Sequence, residues 1–320
     1  MPHTISHTIS VKISNYNRMS KLFLGKNPLN SSKQGVSGEF VTIEGEKFYQ
    51  IKNFDEMSPF FISLASDSDL WMYIASTGGL SAGRKNPDQA LFPYYTDDKI
   101  TESGDITGSK TIFQITKNDC TFLWEPFANN NGAYQIERTI AKSVVGNKLI
   151  FGEKNIDFGV TFHYGWMNSD RFGWVKKSWI TNDSTESVEI VLLDGLQNVL
   201  PSGIDRLTQN AYSTLVDGYK KTELIGEAKL ALFRMEAILV DRAEPSESLR
   251  ANSIWCYGLD KPSFLLSSKQ LNNFRSGEEI VPETEAKGVR GAIFAHAKLT
   301  LAPAADKAWY FVAEGQLPQA

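Results

Sequence analysis

The sequence predicts an all-β protein, a large antiparallel sandwich carrying one or two short helices. Three observations predict it. Short runs rich in Val, Ile, Thr, Tyr, Phe and Trp recur along most of the 320 residues, separated by clusters of Gly, Asn and Asp that turn a chain. In the clearest runs apolar and polar residues alternate with period two, which buries one face of a strand. The regular succession of strand and helix that builds a parallel sheet is absent, so the strands should pair antiparallel and the sheets stack.

Residues 1–37 are rich in Ser, Asn, Lys and His and repeat His3-Thr-Ile-Ser as His7-Thr-Ile-Ser, a polar composition read as a mobile leader that is dispensable for stability. Residues 38–320 are read as one domain, because no Pro- or Gly-rich linker divides them. Its first element is a hairpin, Glu39–Ile43 and Lys47–Ile51 about a turn at Glu44-Gly45-Glu46. Strands are expected at Phe60–Ala65, Leu70–Ala75, Thr111–Ile115, Ala133–Ser143 and Lys148–Ile156. In Phe158-Gly-Val-Thr-Phe-His-Tyr-Gly-Trp166 every even position is apolar, which gives one buried face. The alternation slips near Val175 in Arg171–Ile180, as a bulge would make it do.

Another strand is expected at Glu186–Leu193, and the one good helix follows Pro201. Ser202 and Asp205 have capping-box spacing there, Ile204, Leu207, Ala211 and Leu215 share a face, and Gly218 can close the last turn. Strands return at Lys229–Val240, Ser253–Tyr257, Ala292–Leu301 and Ala308–Ala313.

Composition narrows the function classes. Hydrophobic residues are 42% and charged residues 22%, so the bulk of the chain should fold. A net charge of -4 gives no dense basic stripe for a phosphate backbone, and nucleic acid is not an expected partner. No apolar run is long enough to cross a bilayer and no signal peptide is evident, so no membrane partner is expected and the expected compartment is the cytoplasm. Cys120 and Cys256 lie in or beside apolar runs and read as small core residues, not a disulfide framework. Seven Trp, eleven Tyr and nineteen Phe suit both a thick core and stacking on sugar rings. Of Trp166, Trp174 and Trp179, at least Trp166 belongs by its alternation in the core.

Three features bear on chemistry. Gly79-Leu-Ser-Ala-Gly83 matches the nucleophile elbow, but Pro87 and Pro93 deny Ser81 the helix that the elbow needs, leaving a glycine-bounded turn. His163 and His296 stand in strands without a metal-ligand pattern, and no nucleotide-binding motif occurs, so no metal and no cofactor is expected. No catalytic residue is assigned. The stretch from Gly78 to Lys99 reads as a long loop that concentrates Arg84, Asp88, Tyr94, Tyr95, Asp97, Asp98 and Lys99, planar, charged and aromatic groups able to grip sugar hydroxyls and ring faces. The alternative for that stretch is a structural loop pinned by ion pairs.

Gly83-Arg84 with Ala90–Lys99, Trp124-Glu-Pro126, Arg138-Thr139, Phe162–Trp166, Leu193–Pro201 and Asp241–Pro245 resemble, in that order, the N-terminal part of large bacterial proteins related to cellobiose and chitobiose phosphorylases, in or near glycoside hydrolase family 94. The resemblance implies a galactose-mutarotase-like supersandwich followed in the family by an (α/α)6 barrel, and the catalytic acid and phosphate-binding groups belong to that barrel. On this reading the chain is a non-catalytic domain that borders the cleft of a disaccharide phosphorylase or hydrolase, with an oligosaccharide or disaccharide substrate and a possible homodimer. The alternative is a free-standing sugar-binding or aldose-epimerase-like module. That role needs a His acid and a carboxylate base in one groove, for which His163 with Glu137 or Asp157 is the available pairing.

Overall fold

A computed structural model of the chain describes residues 23–24, 27–28, 35–117, 119–237 and 250–318. Most of the leader, the Asp241–Pro245 motif and the end of the strand expected at Lys229–Val240 lie outside them. Within the leader, β1 (Phe23–Leu24) and β2 (Asn27–Pro28) form a two-residue antiparallel pair. The expected hairpin follows as β3 (Ser37–Ile43) and β4 (Glu46–Lys52). Its turn residues Glu44 and Gly45 take φ of 49° and 82°, the left-handed pair that a two-residue hairpin requires.

The chain continues through β5 (Phe61–Leu64), β6 (Leu70–Ala75), β7 (Leu80–Arg84), β8 (Ala90–Phe92), α1 (Asp97–Glu102), β9 (Gly108–Lys117), β10 (Cys120–Trp124), β11 (Ile136–Ser143) and β12 (Lys148–Asn155). Then come β13 (Val160–Ser169), β14 (Gly173–Asn182), β15 (Val188–Val199), α2 (Arg206–Asp217), β16 (Lys220–Ile225), β17 (Leu230–Met235), β18 (Arg250–Tyr257), β19 (Ser263–Leu265), α3 (Leu271–Arg275), β20 (Glu285–Lys287), β21 (Gly291–Leu301) and β22 (Asp306–Pro318).

Every described ladder is antiparallel, and the protein is the all-β supersandwich expected. One sheet has eleven strands in the order β20-β16-β17-β18-β22-β14-β13-β12-β11-β4-β3, a second has five in the order β10-β9-β15-β21-β19, and β5-β6-β7-β8 form a third. Their inner faces share one core: Phe113 of β9 meets Phe162 of β13 edge-on at 5.1 Å, and Phe92 of β8 meets Trp166 at 6.2 Å. A separate cluster around Leu193, Phe274 and Phe294 lets α3 cover the other face of the five-stranded sheet. Among the described residues no helix is long and apolar enough to cross a membrane.

Phe158, Val160, Phe162, Tyr164 and Trp166 are all buried, as the period-two pattern requires. The bulge expected near Val175 is absent, because β13 and β14 pair without a shift from Val160↔Asn182 to Ser169↔Gly173. The apparent slip arose from Lys176, which occupies a core-facing position and is fully buried. Its ammonium donates to Asp194 at 2.7 Å, and the same carboxylate accepts from Thr111, Ser178 and the Trp309 indole. This cluster ties β15 of one sheet to β14 and β22 of the other, and burial pushes the Lys176 ammonium down against the pull of Asp194.

Other expectations need correction. The Gly78–Lys99 stretch is not a long loop but β7, a 3-10 turn at Pro87–Gln89, β8 and the start of α1, because Leu80, Ala82, Leu91 and Phe92 are core residues. Helix α2 is capped by Asp205 itself, which accepts from Thr208 N at 2.6 Å, and not by a Ser202–Asp205 box. Leu207 and Leu215 are exposed, while Gln209 and Val216 face inward, drawn by the buried Lys220, whose ammonium donates to Gln209 and Asp217. Cys120 is exposed at the start of β10, not a core residue.

Candidate functional site

The inner face of β11, β12 and β13 builds the site through two cross-strand pairs. Arg138 lies opposite Glu153, and Phe151 lies opposite Tyr164, whose rings stack at 4.8 Å and 8°. Cross-strand partners on one face are held close by the ladder, so strand register alone fixes these groups. Arg138, Phe151 and Tyr164 form one wall of a cleft of about 310 Å³, with Glu153 buried behind them. The rest of the lining comes from Phe54 and Asp55, the β6–β7 turn at Ser76–Gly78, Thr101, Glu102 and Asp105 at the end of α1, and Phe127–Asn129. That volume lies at the lower end of small-molecule sites and suits a ligand the size of a sugar ring.

Glu153 organises this wall. It is fully buried and accepts from the Trp124 indole at 2.8 Å, Phe127 N at 2.7 Å and Arg138 Nε at 2.8 Å. Phe127 has φ of 65°, a left-handed conformation that costs a bulky residue strain, and the Glu153 bond holds it there. Its ring packs edge-on against Tyr164 at 5.3 Å. Arg138 also donates to Ala128 O at 2.7 Å and reaches Asp55 at 3.4 Å, so its charge is already matched by two carboxylates.

The opposite wall depends on close backbone approach. A Cβ at Gly79 would overlap the Ile100 carbonyl oxygen, and one at Gly104 would overlap that of Thr77, so the two glycines let the β6–β7 turn and the end of α1 interlock. Taken together, the cleft offers ring faces, the carboxylates Asp55, Glu102 and Asp105 as acceptors, and a fixed guanidinium as donor.

Six of the seven residues singled out from the sequence have described side chains, and these lie elsewhere. Arg84 donates to Glu314 and pairs with Asp69, and its guanidinium lies 5.8 Å over Trp174. Asp88 accepts from Arg206 N, which fastens the 3-10 turn to α2. Tyr94 packs edge-on against Trp71, and the Tyr95 hydroxyl is 3.4 Å from the Asn198 amide. Asp97 opens α1. Asp98 accepts from Thr96, a bond that holds its carboxyl below the usual range, and Lys99 is exposed beside it. Arg84, Asp88, Tyr94, Tyr95, Asp98 and Lys99 do not line the cleft, to which the stretch contributes Gly78.

Ser81 is a fully buried strand residue whose hydroxyl donates to Pro93 O and accepts from Tyr95 N. It is neither an elbow nor a turn. His163 faces away from the cleft, stacked on Trp179 at 4.8 Å and 8°, and burial lowers its pKa to about 4. No histidine lines the cleft among the described residues, so His163 with Glu137 or Asp157 is not assembled there.

Asp55, Phe127, Phe151 and Tyr164 were missed as site residues. Arg138 and Tyr164 fall in the motifs that carry the family resemblance, and Phe151 in an expected strand.

No family model and no curated protein matches the sequence. Solved structures with a similar course include a polysaccharide lyase, at 11% identity and a TM-score of 0.39 over 80% of this chain and 32% of that one. A structure named for an aldose 1-epimerase of Escherichia coli K12 aligns at 8% identity and a TM-score of 0.41, covering 81% of this chain and all of the other. One named for a kojibiose phosphorylase from the human microbiome aligns at 9% identity and 0.35, covering 80% of this chain and 25% of that one. The chain thus spans about a third of the lyase and a quarter of the phosphorylase. These likenesses assign no activity to it.

Proposed function

We propose that the chain binds a saccharide in the cleft between Arg138, Tyr164, Phe127 and Glu102, as a non-catalytic wall of a disaccharide phosphorylase- or hydrolase-type enzyme. The observation that carries the reading is the convergence, in one cleft, of a cross-strand aromatic pair with three carboxylates and a guanidinium held by Glu153. Aromatic faces beside directional acceptors and donors are what a sugar ring, apolar on its faces and polar at its rim, requires. Three motifs behind the family resemblance support it, since Trp124, Arg138 and the strand carrying Tyr164 meet around Glu153. On this reading a barrel of the kind the resemblance implies would close the open side of the cleft.

An open half-site of this kind should bind at roughly millimolar affinity, about -4 kcal/mol. The test is an NMR titration of the chain with cellobiose and with N,N′-diacetylchitobiose. Shifts should concentrate at Phe127, Arg138 and Tyr164. Shifts confined to Arg84–Lys99 would move the site to the residues chosen from sequence, and a silent spectrum would refute saccharide binding.

A further inference from the structure

Tyr164 brings to the cleft a hydroxyl that no described residue bonds. The residue is 4% exposed, and its ring is fixed by the Phe151 stack, the Phe127 edge and the Lys176 ammonium 5.7 Å from its centroid. Packed in this way, the ring cannot carry its hydroxyl to another partner. The oxygen lies beside Gly78, where a Cβ would stand 3.5 Å from it. Gly78 and Tyr164 line both the cleft and a smaller chamber walled by Ser109, Lys110 and Thr111, which places the hydroxyl where the two meet.

The ring is buried but the hydroxyl is not sealed from the cleft, so a donor free of protein partners faces whatever occupies it. Burial pushes the phenol well above its ordinary pKa, so it remains a donor. Its acceptor must be uncharged: Asp55, Glu102 and Asp105 line the same cleft, and Arg138 is already paired with Glu153 and Asp55. We infer that Tyr164 is the specificity-determining donor of the cleft, giving its hydrogen bond to one hydroxyl oxygen of the bound saccharide. The site then selects sugars bearing that hydroxyl over analogues that lack it, because a ligand without it leaves the phenol unpaired. This inference rests on the saccharide reading of the cleft.

The experiment compares the chain with Tyr164→Phe, by thermal midpoint and by titration with cellobiose, N,N′-diacetylchitobiose and the monodeoxy analogues of whichever binds. The variant should keep its midpoint and bind the parent disaccharide about tenfold more weakly. One monodeoxy analogue should lose the same factor against the natural chain and nothing further against the variant. Equal affinities for both proteins across all analogues would overturn the donor role and leave the hydroxyl as a partner of trapped water. Binding of neither disaccharide to the natural chain would overturn the saccharide reading itself, and this inference with it.

Discussion

Asp194→Asn removes one charge from a cluster that has no access to water. Asp194 and Lys176 are both fully buried, and the carboxylate accepts from Lys176 at 2.7 Å, Thr111 at 2.6 Å, Ser178 at 3.0 Å and Trp309 at 2.6 Å. All four partners donate to it, so an amide cannot replace the carboxylate: its nitrogen faces hydrogens, and Lys176 loses the counter-ion that opposes its desolvation. Breaking a buried pair on one side costs about 3–5 kcal/mol, a large part of the stability of a typical domain. The natural chain, Asp194→Asn, Lys176→Met and the double variant should be unfolded in urea and followed by tryptophan fluorescence. The two single losses should exceed the loss in the double variant, with a coupling of at least about 2 kcal/mol. Additivity to within about 0.5 kcal/mol would refute the argument, since it would mean that the ion pair does not join the sheets.

His163 makes stability pH-dependent. Its folded pKa of about 4 lies below the unfolded 6.5, so the unfolded chain binds the extra proton between those values. Stability from this group is therefore complete above pH 6.5 and falls by about 3 kcal/mol as pH drops toward 4, a slope that His163→Gln should flatten in urea midpoints. Gly79→Ala should cost about 1–3 kcal/mol and weaken disaccharide binding, because its methyl would overlap the Ile100 carbonyl; an unchanged thermal midpoint would count against the interlocked wall. Ser81→Ala should cost about 1 kcal/mol, and Ser81 should resist fluorophosphonate; labelling that disappears in the variant would make it a nucleophile after all.

Period-two alternation and turn chemistry carried most of the fold in the sequence. The Glu44-Gly45 hairpin, the buried face of Phe158–Trp166 and the closing Gly218 of α2 are local consequences of backbone conformation and burial, and local sequence specifies them. Local pattern failed where a polar group found its partner far along the chain. Lys176 looked like a break in alternation because its counter-ion Asp194 is 18 residues away on another sheet. The Gly78–Lys99 stretch looked like a long loop because its prolines and charges masked two short core strands.

The sequence by itself determined that strands would pair antiparallel and stack, since that follows from alternation and turns. It also determined that Ser81 would not act as an elbow, since two prolines forbid the helix. Only the tertiary structure decided where a ligand could sit. Arg138, Glu153, Phe151 and Tyr164 come from three strands, and register alone sets them side by side. Phe127, Asp55 and Glu102 join them from three separate segments, Glu102 from the end of α1. Such a site has no spacing signature, because its members are brought together by sheet pairing and close backbone approach, which depend on residues far apart in the chain.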